Sequence, residues 1–315
     1  MSAAFLRTQV PGWYRFMLGD FECTVVSDGE ISTGPVGPLF PEADQEEVVA
    51  MRRQVFMPAD AHQNLPQNAL IVNTGRHVVM FDCGMGPSMM LGPDAGQLLT
   101  NMRHAGIAPA QIDMVLLSHP HPDHCGGLSD AEGNPVFPNA QVALSEVDFR
   151  FWTDADNLDA PEPTGSGVAV ARKSLLPYWD RLFMVRDGGE VVPGVISVAT
   201  PGHTEGHYMY VIESRGESLV FFGDLCHDHV VELARPEWKV GFDDDPELAI
   251  RTRRRVYEQV AQERHQLLAY HFPWPGHGHL ISDKTGYRYL PIAMKVGGGT
   301  VAGGTAGSDP GPADA

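Results

Sequence analysis

Apolar positions in this chain fall into short runs closed by turn residues. Runs over 21–27, 70–74, 78–82, 114–118, 141–144, 195–199, 219–223 and 267–271 are rich in β-branched or aromatic side chains, the pattern of strands buried in a sheet. Helical spacing predicts helices over 44–56, 96–104, 145–152, 173–183 and 246–263. Asp245 suits the N-cap and Pro246 the first position of the last one, and Gly106 suits the stop after the second. The stretch 154–167, rich in Asp, Pro and Gly, reads as a long surface loop near a site. Strands in two series, each followed by helices, predict an α+β fold of two sheets packed face to face with helices outside; pattern alone leaves simple βαβ winding open.

Composition narrows the class. Hydrophobic residues make up 43% and charged residues 20% of 315 positions, and no run approaches the roughly 18 apolar residues of a membrane-spanning helix. The expected organisation is one domain over 1–296, followed by a disordered Gly/Ala-rich tail over 297–315 that holds 7 of the 34 glycines. A net charge of −18 argues against nucleic acid and anionic membranes, whose affinity is built from cations on phosphates. The N-terminal segment shows no apolar core of a secretory signal, so the expected location is cytoplasmic. Cys23, Cys83, Cys125 and Cys226 are far apart and form no CxxC, which argues against a disulfide framework or a thiolate zinc knot.

The 14 histidines are what composition leaves to explain. The segment 114–128, MVLLSHPHPDHCGGL, puts His119, His121, Asp123 and His124 directly after an apolar strand. Extended chain places His119 and His121 on one side, and Pro120 and Pro122 hold the preceding histidines away from helical geometry. Imidazoles and a carboxylate without a thiolate suit zinc or a neighbouring transition metal such as manganese, iron, cobalt or nickel. Three more segments, TPGHTEGH (200–207), FFGDLCHDH (221–229) and LLAYHFPWPGHGHL (267–280), each set a His or Asp after a predicted buried strand, where loops converge on one rim. Cys125 reads as small packing at the loop base. No GxSxG elbow occurs, so a serine nucleophile has no support.

The HxHxDH pattern of His119, His121, Asp123 and His124 resembles the metallo-β-lactamase superfamily. That resemblance implies an αββα sandwich with two divalent ions at one edge. It implies that His119, His121 and His203 hold one ion, that Asp123, His124 and His271 hold the other, and that Asp224 bridges them. The start PGWYRFMLGDFECTVVSDG and the end HFPWPGHGHL with GYRYLPI are similar to methyl parathion hydrolase and its lactonase and arylesterase relatives, which further implies a homodimer.

The expected activity is metal-dependent hydrolysis of small neutral esters: lactones, aryl esters or organophosphate triesters. The nucleophile would be a metal-bridging hydroxide, with Asp224 holding the ions and Asp123 accepting the released proton. Narrower and wider alternatives are an N-acyl-homoserine lactonase and an iron-dependent redox enzyme on the same scaffold. Asp82 is a candidate to orient a metal-bound histidine, or else a turn former before Gly84. His207 reads as a structural or supporting histidine, and His227 as a candidate substrate contact. Phe149 and Trp152 share a helical face that either lines the cleft or packs in the core; Trp274 carries the same ambiguity. His229, His277 and His279 read as surface or loop residues.

Overall fold

A computed structural model describes residues 5, 9–10, 12–57, 62–88, 90–284 and 286–295, so the tail expected over 297–315 lies outside the described residues. The first series is β1 (Trp13–Leu18), β2 (Phe21–Pro35), α1 (Gln45–Gln54), β3 (His62–Asn73), β4 (Val78–Phe81), α2 (Leu98–His104), β5 (Met114–Leu116), α3 (Pro122–Cys125), β6 (Gln141–Leu144), α4 (Glu146–Thr153), α5 (Thr164–Leu175) and β7 (Leu182–Met184). The second is β8 (Gly189–Val192), β9 (Val195–Ala199), β10 (Tyr208–Ser214), β11 (Glu217–Phe221), α6 (Val231–Ala234), α7 (Pro246–Glu263), β12 (Gln266–Leu268), β13 (His277–Asp283) and β14 (Gly286–Pro291).

Each series makes one seven-stranded mixed sheet, ordered β1 to β7 and β14 back to β8. In the first sheet β1 to β4 are antiparallel and β4 to β7 parallel. In the second, only the β11–β12 pair is parallel. The inner faces share one core, where Phe81 of the first sheet lies 5.5 Å from both Tyr210 and Phe221 of the second, measured between ring centroids. On the outer face of the second sheet, Val256, Tyr257 and Val260 of α7 pack on Phe222, Leu267 and Leu280. This is the α+β sandwich with helices outside.

The helix starts follow the side chains. Asp245 accepts from Leu248 N at the start of α7, with Pro246 at the first turn, and Ser145 accepts from Val147 N and Asp148 N to open α4. Three expectations fail. The stretch 154–167 is not a long loop: it holds a 3-10 turn at Ala155–Asp159 and the first turn of α5. Small residues allow this, because Gly165 sits where a Cβ would meet Leu158 O at 2.8 Å. The helix expected over 173–183 is the end of α5, a 3-10 turn at Leu176–Arg181 and β7, since Pro177 cannot continue the α-helical bonding. Strands β1, β8, β10, β13 and β14 were not expected. His277, read as a surface or loop residue, is buried in β13 and stacks on Phe16 at 4.1 Å.

The topology places the site. β9 is antiparallel to β10 and β10 to β11, so β9, β11 and β12 run the same way. The segments leaving β9, β11 and β12 therefore leave one rim, and those leaving β4 and β5 meet them there.

Candidate metal centre

Two clusters of side chains form at that rim. Ligand-type atoms of His119, His121, His203 and Asp224 lie within 4.8 Å of one another, as do those of Asp123, His124 and His271, and either group could hold a metal ion. In the first, His119 Nε2 is 2.8 Å from His121 Nδ1 and 3.2 Å from His203 Nε2, and His203 Nε2 is 3.0 Å from His121 Nδ1. In the second, His124 Nε2 faces Asp123 Oδ2 at 3.5 Å, and His271 Nε2 faces the same oxygen at 3.6 Å. Asp224 divides its oxygens between the two. Oδ2 is 3.3 Å from His203 Nε2, while Oδ1 is 3.2 Å from His124 Nε2 and 3.3 Å from His271 Nε2.

The outward nitrogens of these rings are engaged elsewhere. His124 Nδ1 bonds Asp82 Oδ2 at 2.7 Å, and His271 Nδ1 donates to Pro66 O at 3.0 Å. His203 Nδ1 meets Asp243 Oδ1 at 3.4 Å. The hydroxyl of Ser118 donates to Asp82 Oδ2 at 2.8 Å, so it accepts from His119 Nδ1 at 3.0 Å. In the neutral forms of His119, His124, His203 and His271 these contacts protonate Nδ1 and turn the Nε2 lone pair inward, whereas His121 turns its Nδ1 inward. The Nε2 lone pairs of His119 and His203, 3.2 Å apart with no proton between them, repel, and a cation between them removes the repulsion. His124 Nε2 and Asp224 Oδ1 are also buried without a hydrogen-bond partner, a cost of about 1–3 kcal/mol each when nothing binds there. Donor set, tautomers and orphaned atoms all fit divalent cations.

Electrostatics follow from burial and these neighbours. Burial lowers His119 well below the usual imidazole range, and burial with the neighbouring rings brings His121 to about 3. Burial likewise brings His203 to about 3, although Asp224 pulls the other way. Burial opposes charge on His124, but Asp224, Asp123 and Asp82 around it outweigh that and hold its proton well above the usual range. A bound cation would take the place of that proton. Burial also opposes charge on Asp224, yet His124 and His271 keep its carboxyl well below the ordinary carboxylate range.

A supporting ring of groups surrounds the clusters. Asp82 accepts from Ser118 N at 2.8 Å as well as from the two side chains already named, so it orients His124 directly and His119 through Ser118. His207 Nε2 accepts from Asp224 N at 3.0 Å, leaving its Nδ1 to donate to Thr200 Oγ1 at 2.8 Å. It therefore supports the backbone of Asp224. Gly223 (φ +53) leaves no space for a Cβ, which would lie 2.5 Å from Ser118 Cβ and 2.8 Å from His207 Nε2. Cys125 is buried, donates to Pro120 O at 3.3 Å, and has its thiol pushed up by burial.

Four further groups, Gln67, Asp243, Arg253 and Glu232, were not expected from sequence. Gln67 Nε2 donates to Asp123 Oδ2 at 3.0 Å. Asp243 links His203 to the buried Arg253, whose guanidinium also reaches Glu232 Oε1 at 3.3 Å. Glu232 in turn accepts from His227 N at 2.8 Å, and His227 Nε2 is 3.2 Å from Asp224 Oδ2. The chain His203–Asp243–Arg253–Glu232–His227–Asp224 closes on itself. Removing one member of such a buried charge set costs about 3–5 kcal/mol.

A cavity of about 320 Å³ opens over both clusters. Its walls include Ile31, Leu65, Met90 and Leu91 on one side, Trp152 and Phe242 on others, and His227 beside the clusters; no Lys or Arg is among the described lining residues. The indole of Trp152 stands edge-on to His121 at 4.9 Å between ring centroids. Of the two places the sequence left open for Phe149, cleft wall or core, it takes the core, 5.9 Å from Trp179. Trp274 lies on an exposed turn away from the cavity.

Comparison with known proteins adds relationship to this geometry. The family model described as the metallo-beta-lactamase superfamily matches residues 62–262. An N-acyl homoserine lactonase from Bacillus cereus is 26% identical over 246 residues, spanning 72% of this chain and 86% of the relative. AidC, a dizinc quorum-quenching lactonase solved with a product N-hexanoyl-L-homoserine, superposes with a TM-score of 0.84 at 26% identity over 90% of this chain and 99% of AidC. The hydrolase AbOPH of the beta lactamase superfamily gives a TM-score of 0.84 at 32% identity over 92% of this chain and all of that one.

Proposed function

This chain belongs to the metallo-β-lactamase superfamily, and from that premise we propose that it is a dinuclear hydrolase of small neutral esters, with lactones as the leading class. The observation that carries the reading is Asp224, which offers one carboxylate oxygen to each of two histidine clusters. His119, His121 and His203 would hold one ion, Asp123, His124 and His271 the other, and Asp224 both. Two divalent ions bound there supply Lewis acidity to the substrate's oxygen and lower the pKa of water from 15.7 to about 7 in favourable cases.

The chain's own residues do the rest. Asp82, Ser118, Asp243 and the Pro66 carbonyl fix the tautomers of four histidines. Asp123, steadied by Gln67, takes the proton released during attack on the carbonyl carbon or phosphorus. His227, held between Asp224 and Glu232 and lining the cavity, presents its ring to the substrate. The apolar walls take the substrate's non-reacting part, and with no Lys or Arg among the described lining residues an anionic arm finds no side-chain partner there.

Within the ester class, the lactonase relatives support lactones and, more narrowly, N-acyl-homoserine lactones; aryl esters and phosphotriesters fit the same chemistry. The test is one metal-free preparation reloaded with Zn, Mn or Co and assayed on lactones, aryl esters and phosphotriesters together. Turnover that needs the added ion and favours lactones is expected. Full activity without metal overturns the mechanism, and iron-dominant metal content with no hydrolysis favours a redox role.

A further inference from the structure

Trp152 lines two spaces at once. One is the cavity over the metal clusters; the other is a neighbouring cleft of about 400 Å³. The indole is 4% exposed and stands edge-on to His121. Its place depends on Gly167, inside α5, where a Cβ would lie 2.9 Å from Trp152 Cζ3 and 3.6 Å from Cη2. Glycine in a helix interior costs about 1 kcal/mol relative to alanine, and here that cost coincides with the space the indole occupies. The neighbouring cleft has Val147, Phe151 and Leu248 among its apolar residues and Asp148, Glu205 and Asp245 among its acidic ones.

We propose that Trp152, seated by Gly167, is a partition that caps the length of the substrate's non-reacting arm, and that the cleft behind it is a latent extension for a neutral, apolar arm. The proposal rests on the hydrolase reading and adds to it the residue that sets substrate size. Removing the indole joins the cleft to the cavity. The joined space has apolar surface for an alkyl chain and carboxylates that repel an anionic one, so the gain is confined to neutral substrates.

The test compares full-length, metal-loaded wild type with Trp152→Ala, Trp152→Phe and Gly167→Ala on a series of neutral lactones whose alkyl arm lengthens stepwise. The readout is the ratio of kcat/KM for long against short arms within one sample, which cancels any loss of active protein; ion content is measured alongside. Trp152→Ala is expected to raise that ratio by ~10-fold, the discrimination a hydrophobic pocket makes over about one methylene. Trp152→Phe, the variant that preserves an aromatic beside His121, gives a smaller rise, and Gly167→Ala moves the ratio because the indole must shift.

Calorimetric binding of the matching non-hydrolysable lactams reads the same partition without turnover. Tighter binding of long-arm lactams by Trp152→Ala, with no hydrolysis by any form, leaves the partition standing and overturns the hydrolase reading. Turnover with an unchanged ratio in Trp152→Ala and Trp152→Phe overturns the partition alone. A Gly167→Ala ratio equal to wild type removes Gly167 from it.

Discussion

Asp82→Asn is the sharpest probe of the centre, because it keeps the side chain's size while removing the carboxylate charge and putting an NH₂ donor where one oxygen accepts. Asp82 takes three hydrogen bonds, from Ser118 N, the Ser118 hydroxyl and His124 Nδ1. Asparagine tolerates the left-handed backbone at this position, φ 53. Its oxygen can still accept from Ser118 N, which turns its NH₂ toward His124 Nδ1. Two donors then face each other, and the ring relieves this by moving its proton to Nε2, the atom that faces Asp224 and Asp123. A protonated Nε2 cannot bind an ion. Loss of an outer partner of a ligand histidine costs 10–100-fold in metal affinity, or ~1.4–2.7 kcal/mol. The effect falls first on the Asp123–His124–His271 cluster and more weakly on His119, which Asp82 reaches only through Ser118. The assay is competition with a chromophoric chelator, resolving two affinities, with circular dichroism and thermal unfolding showing that the fold persists. Two affinities equal to wild type would refute the tautomer argument.

Other outcomes follow from the same geometry. Asp224→Ala should lower occupancy of both ions; loss of one ion with unchanged turnover would show that the carboxylate does not serve the pair. Gly223→Ala places a methyl against Ser118 and His207 on a left-handed backbone, and should destabilise the fold by more than ~1 kcal/mol, read as a lowered midpoint in urea. Stripping both ions should lower the Tm, and free ion at 100 times its Kd should restore about 2.7 kcal/mol per site; a Tm insensitive to metal would contradict the fit. Burial pushes Asp148 up to about 7, against hydrogen bonds from Thr204 and Gly206 N. Because its folded pKa lies above its unfolded value, it contributes stability at low pH that is lost as pH rises from about 4 to about 7, by up to ~1.4 kcal/mol per pH unit. The stability of Asp148→Asn relative to wild type should therefore improve over that range, and a constant difference would exclude this titration.

Local pattern carried much of the site. Four donors in six residues at a strand end, and single His or Asp residues after other apolar runs, were visible because strand ends and prolines are local signals. The supporting groups were not. Asp243 stands in a run of three aspartates that reads as a solvated turn before α7, and only packing against Arg253 shows that it is buried. Gln67 interrupts a strand as a polar residue, with nothing nearby in sequence to mark Asp123 as its partner. Phe149 and Trp152 have the same spacing to the core, and which one faces the cavity depends on α5, a helix hidden in a stretch that looked like a loop. The missed strands β13 and β14 carry histidine, glycine and charged residues whose burial is decided by neighbours distant in the chain.

The split of donors between the two sheets also sets when during synthesis an ion can be captured. In the proposed centre, a nascent chain that ends before residue 203 would offer His119 and His121 to one ion and Asp123 and His124 to the other, two donors each. The remaining donors arrive with His203, Asp224 and finally His271, after five of the second sheet's seven strands have been made. On that assignment the first half alone would compete poorly for metal, and loading would be a late event that reports both halves have docked.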